Sequence, residues 1–304
     1  MSRAEQVTDP LTYHGEGAVW CAEWGGLKWV DMLAGDVLSL DAGSGAVTRL
    51  HLGSPVAAML RPGAGGGFVA ATERGFALWT DAGCEWRSGP LWTDAGRRFN
   101  EGGATPAGAL LCGMKSASEP GRGQLWRLRP DRSAECEFGG LTVSNGLGFT
   151  ADGTRMYYTD SRTRRIDIFD VEHDRPVRRR PFVTIPDGAG GPDGLWVDAE
   201  DGVWVALFRG GAVRHYTAAG KLADIVEVPA TQVSSCTFRR PGPRRPLHHD
   251  VAREPGRRRT AGRRGLRHAG RGPRPARASL RRLTVLVRAR GRASAPTPPR
   301  LRPP

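Results

Sequence analysis

Five segments of strand-forming sequence recur along the chain at an almost constant interval, and this repetition limits the folds open to it. In each segment a glycine-rich turn leads into an apolar run, which two further runs follow after short turns. The first runs are centred on Trp29, Phe68, Leu110, Tyr157 and Trp204, at intervals of 39, 42, 47 and 47 residues. Intervals of about 40–50 residues are typical of β-propeller blades, because stacked blades cover one another's faces.

The repeats predict an all-β fold, a six-bladed β-propeller, with a β-sandwich of regular strands as the alternative. A sixth repeat is due near residue 247, but the chain there reads RRPGPRRPLHHDVAREPG. We therefore predict that residues 1–238 form five blades and an N-terminal closing strand, and that the sixth blade is missing or disrupted. The strand around Ala18–Trp20 would then lose its partners, and the chain would fold poorly.

The composition changes abruptly at the same point. Residues 239–304 hold 21 of the 45 basic residues, two of the 31 acidic residues and none of the 22 aromatic residues. The formal charge of this tail is therefore +19, whereas that of residues 1–238 is −5. A segment with so few bulky apolar side chains cannot offset the entropy of ordering, so the composition predicts a disordered Arg/Pro-rich tail.

A shift of reading frame after about residue 238 accounts for this tail. When RRPGPRRPLHHDVARE is back-translated with GC-rich codons and shifted by one base, the DNA can read GGPDLDDLYITTSREN. That string has a glycine turn and an apolar strand, as the other blades do. The competing interpretation is a basic tail that binds phosphates. The tail lacks Lys and aromatic side chains for base stacking, so we expect no specific nucleic-acid partner.

The five cysteines are scattered and form no CxxC pair or Cys/His cluster. This pattern indicates reduced thiols and a cytoplasmic location. The N-terminus is polar and the apolar runs are far shorter than a membrane span, so we expect no membrane partner. The sequence does not determine the oligomeric state.

Three segments place an oxygen-bearing side chain beside a glycine and ahead of an apolar strand. They are YHGEGAVW with Glu16, LTVSNGLGF with Asn145 and GGPDGLWVD with Asp193. Taken singly, each residue could be an ordinary turn or surface residue. Polar residues just before the inner strands of a propeller converge at one mouth of its channel, so together these residues predict an all-oxygen site. Its charge of −2 suits Ca²⁺, Mg²⁺ or Mn²⁺.

The segments HGEGAVW, RFNEGG, VSNGLGFTADGTRMYYTDS, GPDGLWVDAEDGVWVA and SSCTF together resemble the senescence marker protein/regucalcin/gluconolactonase family. The matches occur in order from about His14 to Phe238. The resemblance implies a six-bladed propeller that binds one divalent metal ion, Ca²⁺ or else Zn²⁺, Mg²⁺ or Mn²⁺, and hydrolyses a small-molecule sugar lactone. By motif position, the implied metal ligands are Glu16, Asn145 and Asp193.

The same resemblance implies that Arg98 and Asn100 contact the substrate, together with Glu101, which stands where the family commonly has Asp. Two further features depart from the family pattern. Gly103 stands where Lys is common, and an extra channel carboxylate has only Glu119 as a loose match. These departures affect the expected substrate more than the expected metal site.

The chemistry that we hypothesise is attack by water on the lactone carbonyl. The bound cation would polarise the carbonyl and lower the pKa of a neighbouring water, and Asp193 would be the general base. His14 is a second candidate base, or else a structural hydrogen-bonding residue. No GxSxG motif supports a serine nucleophile. Two alternatives remain: a non-catalytic metal-binding propeller, and an inactive product of a frameshifted gene.

Overall fold

The computed structural model describes residues 2–4, 6, 8–94, 96–116, 118–238 and, for the backbone alone, 283–287. These residues form an all-β structure with four sheets of four antiparallel strands, a fifth sheet in which four antiparallel strands are joined by a short parallel strand, and one two-stranded sheet. The helical residues among them are confined to the 3₁₀ turns Ala22–Trp24, Met32–Ala34 and Ser161–Thr163. None of the described helices is long and apolar enough to cross a membrane.

The four antiparallel strands of each of these five larger sheets are consecutive in the chain, and we number them as blades 1 to 5. A short strand, β1 (Ser2–Arg3), precedes blade 1. The strands are, for blade 1, β2 (Gly15–Cys21), β3 (Gly26–Asp31), β4 (Asp36–Asp41) and β5 (Val47–His51); for blade 2, β6 (Met59–Pro62), β7 (Phe68–Ala71), β8 (Phe76–Thr80) and β9 (Gly83–Arg87); for blade 3, β10 (Arg98–Ala104), β11 (Leu110–Lys115), β12 (Gly123–Leu128) and β13 (Ala134–Leu141); for blade 4, β14 (Ser144–Phe149), β15 (Arg155–Asp160), β16 (Arg165–Glu172) and β17 (Arg175–Thr184); and for blade 5, β18 (Gly191–Val197), β19 (Val203–Phe208), β20 (Ala212–Tyr216) and β21 (Leu222–Glu227). A further pair consists of β22 (Val233–Phe238) and β23 (Leu283–Val287).

The first strand of each blade is the innermost one. The strands β2, β6, β10, β14, β18 and β22 lie beside one another in that order and surround the central channel. The five predicted blades are confirmed. The apolar run that comes first in each sequence repeat is, however, the second strand of its blade, because Trp29, Tyr157 and Trp204 lie on second strands. Second strands are almost continuously apolar since both of their faces are covered, whereas the inner strands are interrupted by glycine and polar residues.

Apolar side chains fill the space between neighbouring blades. Phe76 of blade 2 and Phe99 of blade 3 are buried with ring centroids 4.9 Å apart. Between blades 3 and 4, Leu111 and Leu125 share one buried cluster with Tyr158. Each blade therefore covers a face of the next, which is the packing that the repeat interval predicted.

The inner strands close into a ring across the two ends of the described propeller. Ser234 Oγ of β22 donates a hydrogen bond of 2.6 Å to the carbonyl of Gly15 in β2. The backbone N–H of Ala18 donates one of 3.1 Å to Ser235 Oγ. The prediction that the strand around Ala18–Trp20 is a closing strand without partners is wrong, because β2 is the inner strand of blade 1 and pairs with β3.

The two ends of the chain add a strand each. β1 pairs in parallel with β21 at the outer edge of blade 5. β23 pairs antiparallel with β22, a strand that the sequence analysis did not predict. The predicted disordered tail otherwise falls on residues 239–282 and 288–304, which lie outside the described residues.

Candidate active site

Four inner strands are irregular at the residues that the sequence singled out. The pairing between first and second strands shifts after Glu16 in β2, after Phe99 in β10, after Ser144 in β14 and after Pro192 in β18. A β-bulge leaves residues unpaired and re-aims their side chains. These shifts turn side chains near the start of each inner strand toward one region of the channel.

Glycines within these irregular segments allow neighbouring inner strands to approach closely. A Cβ atom on Gly146 would overlap the backbone nitrogen of Leu195, and one on Gly194 would lie 2.8 Å from the carbonyl oxygen of Ser234. Gly17 has a left-handed φ of 60°. The Asn-Gly and Asp-Gly pairs therefore combine an oxygen-bearing side chain with a point of close strand contact, whereas a Cβ atom on Gly17 would make only ordinary contact with Met59.

The structure brings together three buried carboxylates, Glu16, Glu101 and Asp193, which we call the carboxylate cluster. One oxygen from each lies within 4.8 Å of the others, and the residues are 4%, 4% and 5% exposed. Burial, followed by repulsion from Asp193 and Glu101, raises the pKa of Glu16 well above its ordinary value. Burial also raises the pKa of Glu101 to about 7, against the opposing effect of Arg61.

The cluster fits a divalent cation. Glu16 Oε2 and Glu101 Oε2 are buried without a hydrogen-bond partner among the described residues. Buried carboxylates that lack partners are costly, and a bound cation would remove both that cost and their mutual repulsion. Carboxylate oxygens are also the ligands that hard divalent ions prefer. This arrangement can therefore hold a metal ion. Glu101, predicted as a substrate contact, is one of the three carboxylates that could surround such an ion.

Asn100 and Asn145, which we call the amide pair, adjoin the cluster and connect blades 3 and 4. Asn100 Nδ2 donates hydrogen bonds to Asn145 Oδ1 at 2.9 Å and to the Ser144 carbonyl at 2.8 Å. Asn145 Nδ2 donates to Ser161 Oγ at 2.7 Å. These bonds fix the Asn145 amide with its oxygen toward Asn100, and that oxygen keeps a second lone pair that can bind a cation.

Arg98 lies next to the amide pair. Its Nη1 atom donates to Asn100 Oδ1 at 2.9 Å, and its positive charge lowers the pKa of Glu16. The structure thus brings the predicted metal ligands Glu16, Asn145 and Asp193 close to the predicted substrate contacts Arg98, Asn100 and Glu101. Glu119 is different, because its side chain is 56% exposed and forms an ion pair with Arg122. The interpretation of Glu119 as a channel carboxylate is wrong.

Three further groups surround the cluster. His14 is buried, with Nε2 at 3.4 Å from Glu16 Oε1, and its backbone N–H donates to Asp31 Oδ1 at 2.9 Å. Arg61 donates a hydrogen bond from Nη2 to the Gly102 carbonyl, and its positive charge lowers the pKa of Glu101. The positive charge of Lys115 lowers the pKa of Glu16 in the same way. The sequence analysis missed Arg61 and Lys115, since neither lies in a distinctive motif and only strand pairing places them here.

Comparison with known proteins identifies a family, sequence relatives and similar solved structures. A family described as the SMP-30/gluconolactonase/LRE-like region matches residues 14–245. The chain is 32% identical over 235 residues to a pentonolactonase of Haloferax volcanii, with coverage of 77% of this chain and 80% of that protein. It is 30% identical over 236 residues to regucalcin of Xenopus laevis, with coverage of 74% and 78%. A solved calcium-binding protein, regucalcin from Agrobacterium tumefaciens, superposes with a TM-score of 0.68 at 26% identity, with coverage of 74% and 78%.

Proposed function

The chain belongs to the SMP-30/gluconolactonase/LRE-like family, and on that basis we propose that it hydrolyses a sugar lactone with one divalent metal ion at the carboxylate cluster. The observation that carries the proposal is the cluster itself. It consists of three buried carboxylates with two oxygens that lack partners among the described residues, beside an arginine and the amide pair. The pentonolactonase relative supports the reaction class.

We assign the residues of this site as follows. Glu16, Asn145 and Asp193 hold the metal ion, which when bound supplies a Lewis acid for the lactone carbonyl and a lowered pKa for water. Asp193 accepts the proton of the attacking water. Arg98 and Asn100 bind the sugar hydroxyls or ring oxygen. Glu101 lies between the metal ligands and the substrate-binding residues, since its carboxylate belongs to the carboxylate cluster and Asn100 precedes it in β10.

We also propose that the ring is six-bladed, with β22 as the inner strand of the sixth blade. The contacts of Ser234 and Ser235 with β2 support this assignment, because they place β22 in the gap between blades 5 and 1.

The five cysteines are free thiols, which supports a cytoplasmic location. The reading-frame shift after about residue 238 and the poor folding of this chain remain predictions.

The test is hydrolysis of gluconolactone and a pentonolactone by the purified full chain, followed as acid release above the spontaneous rate. We expect turnover that disappears with a chelator and returns with Mn²⁺ or Ca²⁺. Asp193→Asn should remove it, whereas Asp131→Asn, in an exposed turn, should not. Absence of turnover by metal-loaded, folded protein would overturn the proposal.

A second candidate function is metal binding without catalysis. The names of the regucalcin relatives and of the calcium-binding structure favour it. Titration calorimetry distinguishes the two functions. Calcium binding that depends on Glu16 and Asp193, in protein that turns over none of the lactones, would establish the binding role instead.

A further inference from the structure

A run of side-chain hydrogen bonds crosses the candidate site from blade 3 to blade 5. Arg98 Nη1 donates to Asn100 Oδ1 at 2.9 Å, and Asn100 Nδ2 donates to Asn145 Oδ1 at 2.9 Å. Asn145 Nδ2 donates to Ser161 Oγ at 2.7 Å. Ser161 Oγ in turn donates to the carbonyl oxygen of Pro192 at 2.7 Å. The run therefore ends at the peptide group that precedes the proposed general base.

The two ends of this run fix the direction of the bonds between them. A guanidinium group only donates, so Asn100 accepts with its oxygen and presents its NH₂ group to Asn145. A backbone carbonyl only accepts, so the single hydroxyl proton of Ser161 is used on Pro192. The oxygen of Ser161 then accepts from the NH₂ group of Asn145. Reversal of the Asn145 amide would break its bond to Asn100 and draw the Ser161 proton away from Pro192.

Blade 1 has a position that corresponds to Ser161 but carries no hydroxyl. Asp31 and Asp160 end the second strands of blades 1 and 4, and each accepts hydrogen bonds from backbone N–H groups just before the inner strand. The next residue, Met32 or Ser161, begins a 3₁₀ turn. Its own backbone N–H donates to the carbonyl of the residue before the inner strand. Met32 of blade 1 therefore corresponds to Ser161 of blade 4.

The difference between these two positions follows the chemistry of the proposed ligands in their blades. Glu16 of blade 1 has a carboxylate with two equivalent oxygens, so its orientation does not decide whether an oxygen is presented. Asn145 of blade 4 has an amide, which offers a cation its oxygen and has to turn its NH₂ group elsewhere. A hydroxyl that accepts from that NH₂ group is useful at Ser161 and has no such use at Met32.

We propose that Ser161 is a positioning residue, which holds the Asn145 amide in the orientation that leaves its oxygen available to the metal ion. This inference rests on the proposed function, in which Asn145 is a metal ligand. Through the carbonyl of Pro192, the same hydroxyl also holds the backbone just before Asp193. Groups that orient metal ligands in this way matter for affinity, and their loss commonly weakens metal binding by about 10–100-fold.

The experiment measures metal binding by titration calorimetry on the purified full chain, without substrate. The probe is Ca²⁺ or Mn²⁺, whichever the wild type binds more tightly. Ser161→Ala removes the hydroxyl. Ser116→Ala is the matched control, because Ser116 follows the second strand of blade 3, is buried, and donates its hydroxyl to the backbone carbonyl of Glu119. Melting temperatures of the metal-free variants report the stability that each lost hydrogen bond contributed.

We expect Ser161→Ala to weaken metal binding by at least about tenfold, because the Asn145 amide is then free to reverse. Ser116→Ala should leave the dissociation constant within about twofold of the wild-type value. Both variants should lower the melting temperature of the metal-free protein by comparable amounts, since each loses one hydrogen bond to a backbone carbonyl. A loss of affinity in Ser161→Ala alone therefore separates positioning of the ligand from general stability.

A second pair of variants tests whether orientation of the amide is what Ser161 provides. Asn145→Asp replaces the amide by a carboxylate, which has no NH₂ group to turn away. Adding Ser161→Ala to Asn145→Asp should therefore change the dissociation constant by less than about twofold. The hydroxyl then matters only where the ligand has two different ends, as the comparison with Met32 of blade 1 indicates.

Each other outcome counts against the inference or against the proposed function. Metal affinity of Ser161→Ala within about twofold of wild type would overturn the inference. An equal loss of affinity with and without Asn145→Asp would make Ser161 a structural residue and would also overturn it. The expected pattern of binding without hydrolysis of any lactone would remove catalysis from the proposed function and leave the inference in place. Folded wild-type protein that binds neither ion would remove both.

Discussion

The side-chain amide of Asn100 donates a hydrogen bond of 2.9 Å to Oδ1 of Asn145 and so joins the inner strands of blades 3 and 4. The same amide donates to the Ser144 carbonyl. One residue of blade 3 thereby sets the orientation of a proposed metal ligand on blade 4. The site is assembled across blades, and its geometry depends on how the blades are positioned relative to one another.

The amide pair should be sensitive to the loss of its donor. Asn100→Asp places a group with acceptors only against two acceptor oxygens, so we expect a loss of about 1–3 kcal/mol in the free energy of unfolding. Urea denaturation measures it. Asn100→Ala is the control, because it removes the hydrogen bonds without adding a negative charge. An aspartate variant as stable as the wild type would show that the pair does not stabilise the blade contact.

Divalent metal should stabilise the protein in a pH-dependent manner. Burial raises the carboxyl pKa values of Glu16 and Glu101, that of Glu101 to about 7. In the metal-free protein, the contribution of these two carboxyls to stability is therefore greatest below their ordinary pKa and is lost as pH rises through about 7. Metal binding requires the ionised carboxylates, so the stabilisation that the metal provides increases as pH rises.

We expect saturating Ca²⁺ or Mn²⁺ to raise the melting temperature by about 5–10 °C near pH 8 and by much less near pH 5.5. Differential scanning fluorimetry after chelation measures this shift. Glu16→Gln, which removes one of the proposed charged ligands, should reduce it. A shift of equal size at both pH values would contradict binding at the carboxylate cluster.

Asp193 should be required for turnover but not for folding. Asp193→Asn keeps the shape of the side chain and removes its proton-accepting charge, so we expect lactone hydrolysis to fall by about 10²–10⁴-fold. Circular dichroism and melting curves check that the fold is retained. Glu119→Gln is the control, since Glu119 is largely exposed. Wild-type turnover in Asp193→Asn would remove Asp193 from the mechanism.

The close approach of inner strands should make Gly146 intolerant of any side chain. A Cβ atom there would overlap the backbone nitrogen of Leu195 in blade 5. We expect Gly146→Ala to cost about 1–3 kcal/mol in the free energy of unfolding, because the strands must move apart. Gly65→Ala is the control, since its Cβ would meet no atom within 4 Å. Equal stability of the two variants would argue against the tight contact between blades 4 and 5.

Restoring the reading frame should stabilise the propeller. A gene with a one-base change after the codon for Phe238 would encode a glycine turn and an apolar strand next to β22. We expect more soluble protein and a higher melting temperature than for the present chain, because the added strands would bury the faces beside blades 5 and 1. Sequencing of the source DNA and melting curves of both proteins test this. No gain in stability would favour the tail as an evolved segment.

The sequence by itself determined the repeating strand units and the glycine-adjacent oxygen donors. The five blades and the convergence of Glu16, Asn145 and Asp193 with Arg98 could be predicted because they follow from local patterns and from the pseudo-symmetry of a propeller. Periodicity and turn chemistry are properties of short segments, and they can be recognised without knowledge of distant contacts.

Only the tertiary structure decided which strands are innermost, that Glu101 joins the carboxylate cluster, and that Lys115 stands opposite Arg98. It also decided that Ser234 and Ser235 close the inner ring against β2. These relationships depend on cross-strand register and on the shifts at bulges, which join residues far apart in the chain. A displacement of one residue reverses the direction of a side chain, so sequence spacing alone cannot determine them.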